Sequence, residues 1–264
     1  MLLNFHKYQA TGNDFIIIDD RERKFDVTNN GLIQKLCHRK FGIGADGLIL
    51  LRNEKDVDFK MLYYNADGYE GSMCGNGGRC VTAFAHKLLP SKTEFKFAAF
   101  DGLHKSAIKS IYDDGFIVKL EMMQVAAPQK IGDDYLLNTG SPHYVKFVTD
   151  VALTDVLGEG KNIRNSGPFL RNGVNVNFVE INQQVLTMRT YERGVEDETL
   201  SCGTGATAAA IAAFFGKKIN SNSVEIHTRG GNLTVSFDST EKDIYTSVFL
   251  IGEATPVFEG SMHI

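Results

Sequence analysis

Cys74–Ala85 reads CGNGGRCVTAFA, and Cys202–Ala213 reads CGTGATAAAIAA. Each stretch sets a cysteine directly before Gly-x-Gly and a run of helix-forming residues, and the two cysteines lie 128 residues apart. The same offset returns, in the same order, at Thr11-Gly12 with Thr139-Gly140, Phe41 with Phe169, Tyr63 with Tyr191 and Glu70 with Glu198. These coincidences predict a duplicated unit of roughly 120–130 residues. The simplest architecture is two similar domains about a pseudo-twofold axis, which sets equivalent residues on opposite sides of one cleft.

Within the first unit, Ile16–Ile18 and Phe59–Tyr64 read as strands. Leu32–Arg39 reads as a helix with Thr28 and Asn29 as candidate caps, and Gly77–Leu89 as a helix closed by Pro90. In the second unit Tyr144–Val148, Val174–Ile181 and Val185–Tyr191 read as strands, and Gly205–Phe215 as an alanine-rich helix ending at Gly216. His227–Thr234 carries a Gly-Gly-Asn turn and reads as a hairpin. Strands and helices are mixed, so the expected fold class is α/β to α+β.

The 264 residues are 43% hydrophobic and 23% charged, with a net charge of −4. That length suits one large domain or two ordinary ones, and the weak negative charge argues against a nucleic-acid partner. No segment approaches the roughly 18 apolar residues of a membrane span. The opening MLLNFHKYQATGNDF lacks the marks of a secretory signal, so a cytoplasmic location without membrane partners is expected. Cys37, Cys74, Cys80 and Cys202 fit no zinc spacing, and no metal is expected. A reducing cytoplasm disfavours a structural disulfide. Each cysteine therefore reads as a small buried apolar residue or as a reactive thiol.

Cys74 and Cys202 each follow a strand and a polar loop and precede a helix. Free N–H groups and the positive end of the helix dipole favour a thiolate there. The glycines let the backbone approach a ligand, and a carboxylate is the expected guest. One reaction suits this pair: inversion of a stereocentre beside a carboxylate, with one thiolate removing a proton and one thiol returning a proton to the other face. A phosphate-binding glycine loop is the alternative, but neither segment matches G-x-G-x-x-G or carries the Lys-Ser/Thr of a P-loop.

Over essentially its whole length the chain resembles the diaminopimelate epimerases. The signals, in order, are GNDF from Gly12, YNADG from Tyr64, CGNGGRC from Cys74, SPHYV from Ser141, VNVNF from Val174, YERGVEDET from Tyr191 and SCGTGA from Ser201. The resemblance implies a PLP-independent enzyme of lysine and peptidoglycan-precursor synthesis that converts LL-2,6-diaminopimelate to the meso isomer, with no cofactor. It implies two similar domains, each a mixed sheet wrapped around a central helix, with the active site in the cleft between them. Residues 1–122, with 253–264 returning, would form the first domain and 123–252 the second. Cys74 and Cys202 would transfer protons: in one direction Cys202 accepts and Cys74 donates, with the roles exchanged in reverse. Gly75, Asn76, Gly203 and Thr204 would hold the substrate, joined by Asn13, Asn65 and Asn175. Arg193 would take a substrate carboxylate and Glu192 an ammonium, while His143 and Glu192 would tune the thiols. A homodimer is implied, with Phe258 at an interface position where the family commonly has Tyr.

Several of these residues also have ordinary readings. Asn13, Asn65 and Asn175 are common turn residues, His143 fits a half-buried strand position, and Glu192 with Arg193 fits a surface pair. Two positions depart from the family pattern: Gly47 stands where Gln is frequent, and Ser141 where Asn is. Competing functions are a proline or hydroxyproline racemase, an isomerase of the same fold without cysteine chemistry, an amino-acid-binding protein and a PLP-dependent racemase. Asn76 and the ERG run count against the racemase, the paired cysteines against the cysteine-free isomerase, and the lack of a lysine in a glycine-rich phosphate context against PLP chemistry; the binding protein differs in predicting no exchange of the substrate α-proton with solvent.

Overall fold

Burial in Leu2–Ala10 (β1) largely alternates, whereas Asn13–Asp19 (β2) and Gly47–Arg52 (β3) carry unbroken buried runs. An unbroken run is the mark of a strand covered on both faces. The computed structural model, which describes residues 2–113 and 115–264, shows why; Met1 and Asp114 of the expected first domain lie outside the described residues. Strands β2 and β3 pair in parallel through the crossover helix Asn30–Cys37 (α1). Ile16, Ile18, Leu48 and Leu50 pack on Ile33 and Leu36 of α1. The opposite face, with Phe15 and Ile49, meets the helix Gly75–Leu88 (α2) at Gly77. The side chain of Asn29 caps α1 by accepting from the Leu32 N–H, as a helix start requires.

The chain divides into two compact units, Met1–Leu120 with Gly252–Ile264 and Glu121–Ile251. The boundaries expected from the sequence lay at 122 and 252. In the first unit the order is β1, β2, β3, Phe59–Asn65 (β4), Glu94–Ala99 (β5), Gly102–Tyr112 (β6) and Gly115–Glu121 (β7). Parallel and antiparallel pairs are mixed, and α2 packs on β1, β2, β3, β4 and β6.

The second unit holds Gln129–Ile131 (β8), Asp134–Asn138 (β9), Pro142–Phe147 (β10), the helix Val156–Arg164 (α3), Asn175–Asn182 (β11), Val185–Glu192 (β12) and Asp197–Thr199 (β13). The helix Gly203–Phe215 (α4) and the hairpin Ser223–Thr228 (β14) with Gly231–Ser239 (β15) follow. Strand β10 pairs in parallel with β11 across the crossover α3, repeating the β2–α1–β3 arrangement. The duplication holds in the register itself: Phe15 faces Gly47, and His143 faces Asn175 at the same 128-residue offset. Phe41 and Phe169 break the correspondence, since Phe41 is exposed and Phe169 buried. The last strand, Tyr245–His263 (β16), passes from the second unit into the first, where Leu2–Gln9 pairs with its end.

Both central helices start two residues earlier than the sequence reading placed them. Gly75 and Gly203 are already helical, so Cys74 and Cys202 are the N-cap residues. The glycines had counted as loop. Gly205, in the first turn of α4, admits close packing: a Cβ there would stand 2.4 Å from Asn177 Oδ1. Every residue from Gly205 to Ala213 is buried, as a helix enclosed on all sides demands. Helix α3 escaped the sequence reading because Gly158 and Gly160 interrupt it. Gly160 lies where a Cβ would meet Tyr191 at 2.5 Å, so α3 sits directly on β12.

Candidate active site

Cys74 takes an extended backbone before α2 (φ −94°, ψ 127°). Its sulfur donates to Asn13 Oδ1 at 3.6 Å, and the same oxygen accepts from Asn76 Nδ2 at 3.2 Å. Each amide is turned by a further partner. Asn13 Nδ2 donates to Asp46 Oδ2 (2.7 Å), and Asn76 Oδ1 accepts from Arg79 Nη2 (2.9 Å). Arg79 is wholly buried, and among the described residues it donates to neutral oxygens: Thr11 Oγ1, Gly75 O and Glu253 O in addition to Asn76. Burial lowers its basicity to about 10. Behind Asp46 stands a charge cluster. Arg39 bonds both Asp46 and Asp14, and the buried Lys7 bonds Asp14. Burial alone pushes the Asp14 carboxyl up, but the hydrogen bonds and charges of Arg39 and Lys7 outweigh it and hold it far below the usual carboxylate range.

Cys202 caps α4 in the same extended conformation (φ −134°, ψ 112°) and is buried. Its sulfur lies 3.5 Å from Thr204 Oγ1, which lies 2.9 Å from His143 Nε2. On the other side of the ring Asn177 Nδ2 donates to His143 Nδ1 at 3.1 Å and to Tyr144 O. Thr190 Oγ1 donates to Asn177 Oδ1 at 3.0 Å, which fixes how that amide is turned. His143 is wholly buried. Burial chiefly, with the Arg193 charge adding and the Asn177 bond opposing, pushes it down to about 3. The imidazole is therefore neutral at physiological pH. Because Nδ1 accepts from Asn177, Nε2 carries the ring proton and donates to Thr204 Oγ1, with Asn175 Nδ2 3.5 Å from the same nitrogen, and the threonine hydroxyl is free to donate to sulfur.

Asn175 is buried beside this chain: its Oδ1 accepts from the Arg193 backbone N–H (2.9 Å) and its Nδ2 donates to Ser141 Oγ (3.2 Å). Arg193 Nη2 reaches Ser141 Oγ and its Nη1 reaches Asn172 O. Ser141 thus ties Asn175 to Arg193 from its place one residue before β10. Glu192 ends β12 half-buried, opposite Asp197. Asn65 stands exposed at the end of β4, in register with Gly47. At Gly47 a Cβ would stand 2.5 Å from Tyr63 Cε2 and 2.6 Å from Tyr64 O, so the Tyr63 ring occupies the room of a side chain there.

Of the expected residues, Asn13, Cys74, Gly75 and Asn76 meet in the first unit, and His143, Asn175, Arg193, Cys202, Gly203 and Thr204 in the second. The sequence reading missed Asp46, Arg79, Asn177 and Thr190. Two signals were available. Asn175 and Asn177 share one face of a buried strand, and Arg79 is a charged residue inside a helix that is buried from Gly75 to His86. Cys37 and Cys80 are buried thiols, and burial pushes Cys37 up to about 12 and Cys80 higher still, which fits packing.

The diaminopimelate epimerase family model matches residues 5–125 and 135–257. A diaminopimelate epimerase of Flavobacterium psychrophilum is 52% identical over 259 residues, covering 97% of this chain and 99% of that one. One of Chlorobaculum tepidum is 40% identical over 265 residues, covering 96% and 98%. Among solved structures, a phenazine biosynthesis protein of the PhzF family from Bacillus anthracis superposes with a TM-score of 0.75 at 16% identity, with full coverage of both chains. A hydroxyproline epimerase of Agrobacterium vitis with bound trans-4-hydroxy-L-proline gives 0.70 at 15%, covering 99% and 92%. These two share the fold.

Proposed function

The chain belongs to the diaminopimelate epimerase family, and from that premise we propose that it converts LL-2,6-diaminopimelate to the meso isomer without a cofactor, through the thiols of Cys74 and Cys202. The observation that supports the mechanism is the hydrogen-bond chain Thr190–Asn177–His143–Thr204–Cys202, which sets a hydroxyl 3.5 Å from the sulfur of Cys202, and we read that hydroxyl as the donor. A donor facing sulfur favours the thiolate.

Cys202 as thiolate removes the α-proton, and an S–H bond forms as the C–H bond breaks. Cys74 as thiol then gives its proton to the other face of the carbon and becomes the thiolate. The reverse reaction exchanges these roles. Negative charge developing on the substrate α-carboxylate is held by the first-turn N–H groups at Gly75, Asn76, Gly203 and Thr204, at two helix N-termini. The Arg193 fork suits the distal carboxylate, Glu192 an ammonium group, and Asn13, Asn65 and Asn175 the remaining polar atoms.

This activity places the enzyme in lysine and peptidoglycan-precursor synthesis, in the cytoplasm. No helix among the described residues is long and apolar enough to cross a membrane. The enzyme acts as a homodimer, in which a second copy covers Val257 and Phe258, both at least half exposed on β16.

The test is incubation of the reduced protein with LL-diaminopimelate in D₂O, without PLP, following α-deuterium and meso product by NMR. Exchange with meso product is expected, and Cys74→Ser and Cys202→Ser each abolish turnover. Exchange with proline or hydroxyproline instead would make the chain a racemase of those substrates. No exchange with any amino acid would leave a binding protein, and turnover in either serine variant would end the two-thiol assignment.

A further inference from the structure

Thr204 presents a donor to Cys202, but Asn13 presents an acceptor to Cys74. A thiol can donate to an amide oxygen, whereas a thiolate facing that oxygen is repelled, so Oδ1 of Asn13 holds the proton on the Cys74 sulfur. Asn13 would serve the opposite form equally well with its amide turned over, presenting Nδ2. Two contacts prevent this. Asn76 Nδ2 donates to the oxygen, and Asp46 Oδ2 accepts from the nitrogen at 2.7 Å. The Asp46 carboxylate is itself clamped, since Arg39 Nη2 bonds its Oδ1 at 2.7 Å while bonding Asp14. The Asp14 N–H donates to Asp46 Oδ2, and the Asp46 N–H donates to Asp14 Oδ1 and to Asp14 O.

We infer that Asp46 is a positioning residue for Cys74: by fixing the Asn13 amide with its oxygen toward sulfur, it sets Cys74 as the thiol of the resting enzyme. This rests on the reading of Cys74 as one of the two acid/base residues. Other charged and titratable groups bear on the same sulfur. Arg79, wholly buried on α2, favours the thiolate, and Cys80 beside it is a thiol held protonated by burial. Asp14, Arg39 and Lys7 stand behind Asp46 from β2, the loop after α1 and β1. The acceptor on Asn13 opposes the helix N-terminus and Arg79, so neither protonation state of Cys74 is locked, as a residue that must both give and take a proton requires.

The test is the pH dependence of Cys74 alkylation by iodoacetamide in the full chain, read by mass spectrometry of the Cys74 peptide. In Asp46→Ala the Asn13 amide is released, and the midpoint is expected to fall by about half to one pH unit, the worth of one partly exposed hydrogen bond. Asp46→Asn keeps an oxygen for Asn13 Nδ2 and should stay near the wild-type midpoint. Equal falls in both variants would mean that the lost negative charge, not the amide orientation, moves the thiol, and would overturn the inference. An unmoved midpoint in Asp46→Ala would overturn it too. Asn13→Ala removes the acceptor outright and must reproduce the fall, which keeps the inference falsifiable if Asp46→Ala does not fold. Protection of Cys37 and Cys80 from alkylation reports folding in each sample. The titration needs no turnover, so its failure is distinct from inactivity toward diaminopimelate.

Discussion

Thr204→Val replaces a hydroxyl by a methyl of nearly the same size, at the one point where the His143 chain meets Cys202. The hydroxyl stands 2.9 Å from His143 Nε2 and 3.5 Å from the sulfur. A hydrogen bond to a charged group contributes about 1.5–3 kcal/mol, and about 1.4 kcal/mol corresponds to one pH unit of titration. Losing the donor should therefore raise the alkylation midpoint of Cys202 by about one to two pH units. On the proposed mechanism the thiolate of the free enzyme is the reacting form, so the acid limb of kcat/KM should move up by the same amount. The variant also leaves the buried ring N–H of His143 without its oxygen, which costs about 1–3 kcal/mol of folding stability. The assay is the pH profile of epimerisation together with alkylation of the Cys202 peptide, and Thr204→Ser should restore both. A Cys202 midpoint that stays in place in Thr204→Val, or a serine variant as impaired as valine, would refute the relay.

Three further outcomes follow from the same geometry. Gly205→Ala sets a Cβ 2.4 Å from Asn177 Oδ1 and 3.3 Å from Cys202 Sγ; with Asn177 held by Thr190, urea unfolding should show a loss of about 1–3 kcal/mol, and activity should fall. Asp14→Asn removes a carboxylate whose folded-state titration lies far below its unfolded value. Its contribution is present above about pH 4 and lost as pH falls below that, so the variant, with solvent screening of the partly exposed cluster, should be about 1–2 kcal/mol less stable at pH 7, with the gap closing toward pH 2. His143 is pushed down to about 3 in the folded chain, so its ring resonances should not move between pH 8 and 5. The unfolded state takes up that proton below about pH 6.5, so stability should drop by about 2 kcal/mol between pH 6.5 and 5, and a folded-state His143 titration near 6.5 would contradict this.

The duplication, the two cysteines and the order of elements around them were legible in the chain because they are local signals. A glycine-rich segment before a helix, a run such as IIID or LILL and a fixed 128-residue offset need no knowledge of the fold. Cys74 and Cys202 therefore stand out from the sequence alone, as do the neighbouring residues of the family motifs. The helix starts fall two residues earlier than the sequence reading because glycine reads locally as loop, whereas Gly75 and Gly203 are helical and buried in the first turn.

What only the tertiary structure decided is the direction of the hydrogen bonds. Cys74 meets Asn13 across 61 positions of sequence, Asn13 meets Asp46 across 33, His143 meets Asn177 across 34, and Thr204 meets His143 across 61. An amide presents either an oxygen or a nitrogen at almost no difference in shape, and a neutral imidazole carries its proton on either nitrogen. The amino-acid type therefore leaves both choices open, and each is settled by a third residue from another part of the chain: Asp46 in the loop before β3 for Asn13, Thr190 on β12 for Asn177, Asn177 on β11 for His143. Gly47 belongs to the same class, since its lack of a side chain is explained by the Tyr63 ring and the Tyr64 carbonyl lying against it. Sequence names the groups that carry protons, and the packing of strands decides which way each proton points.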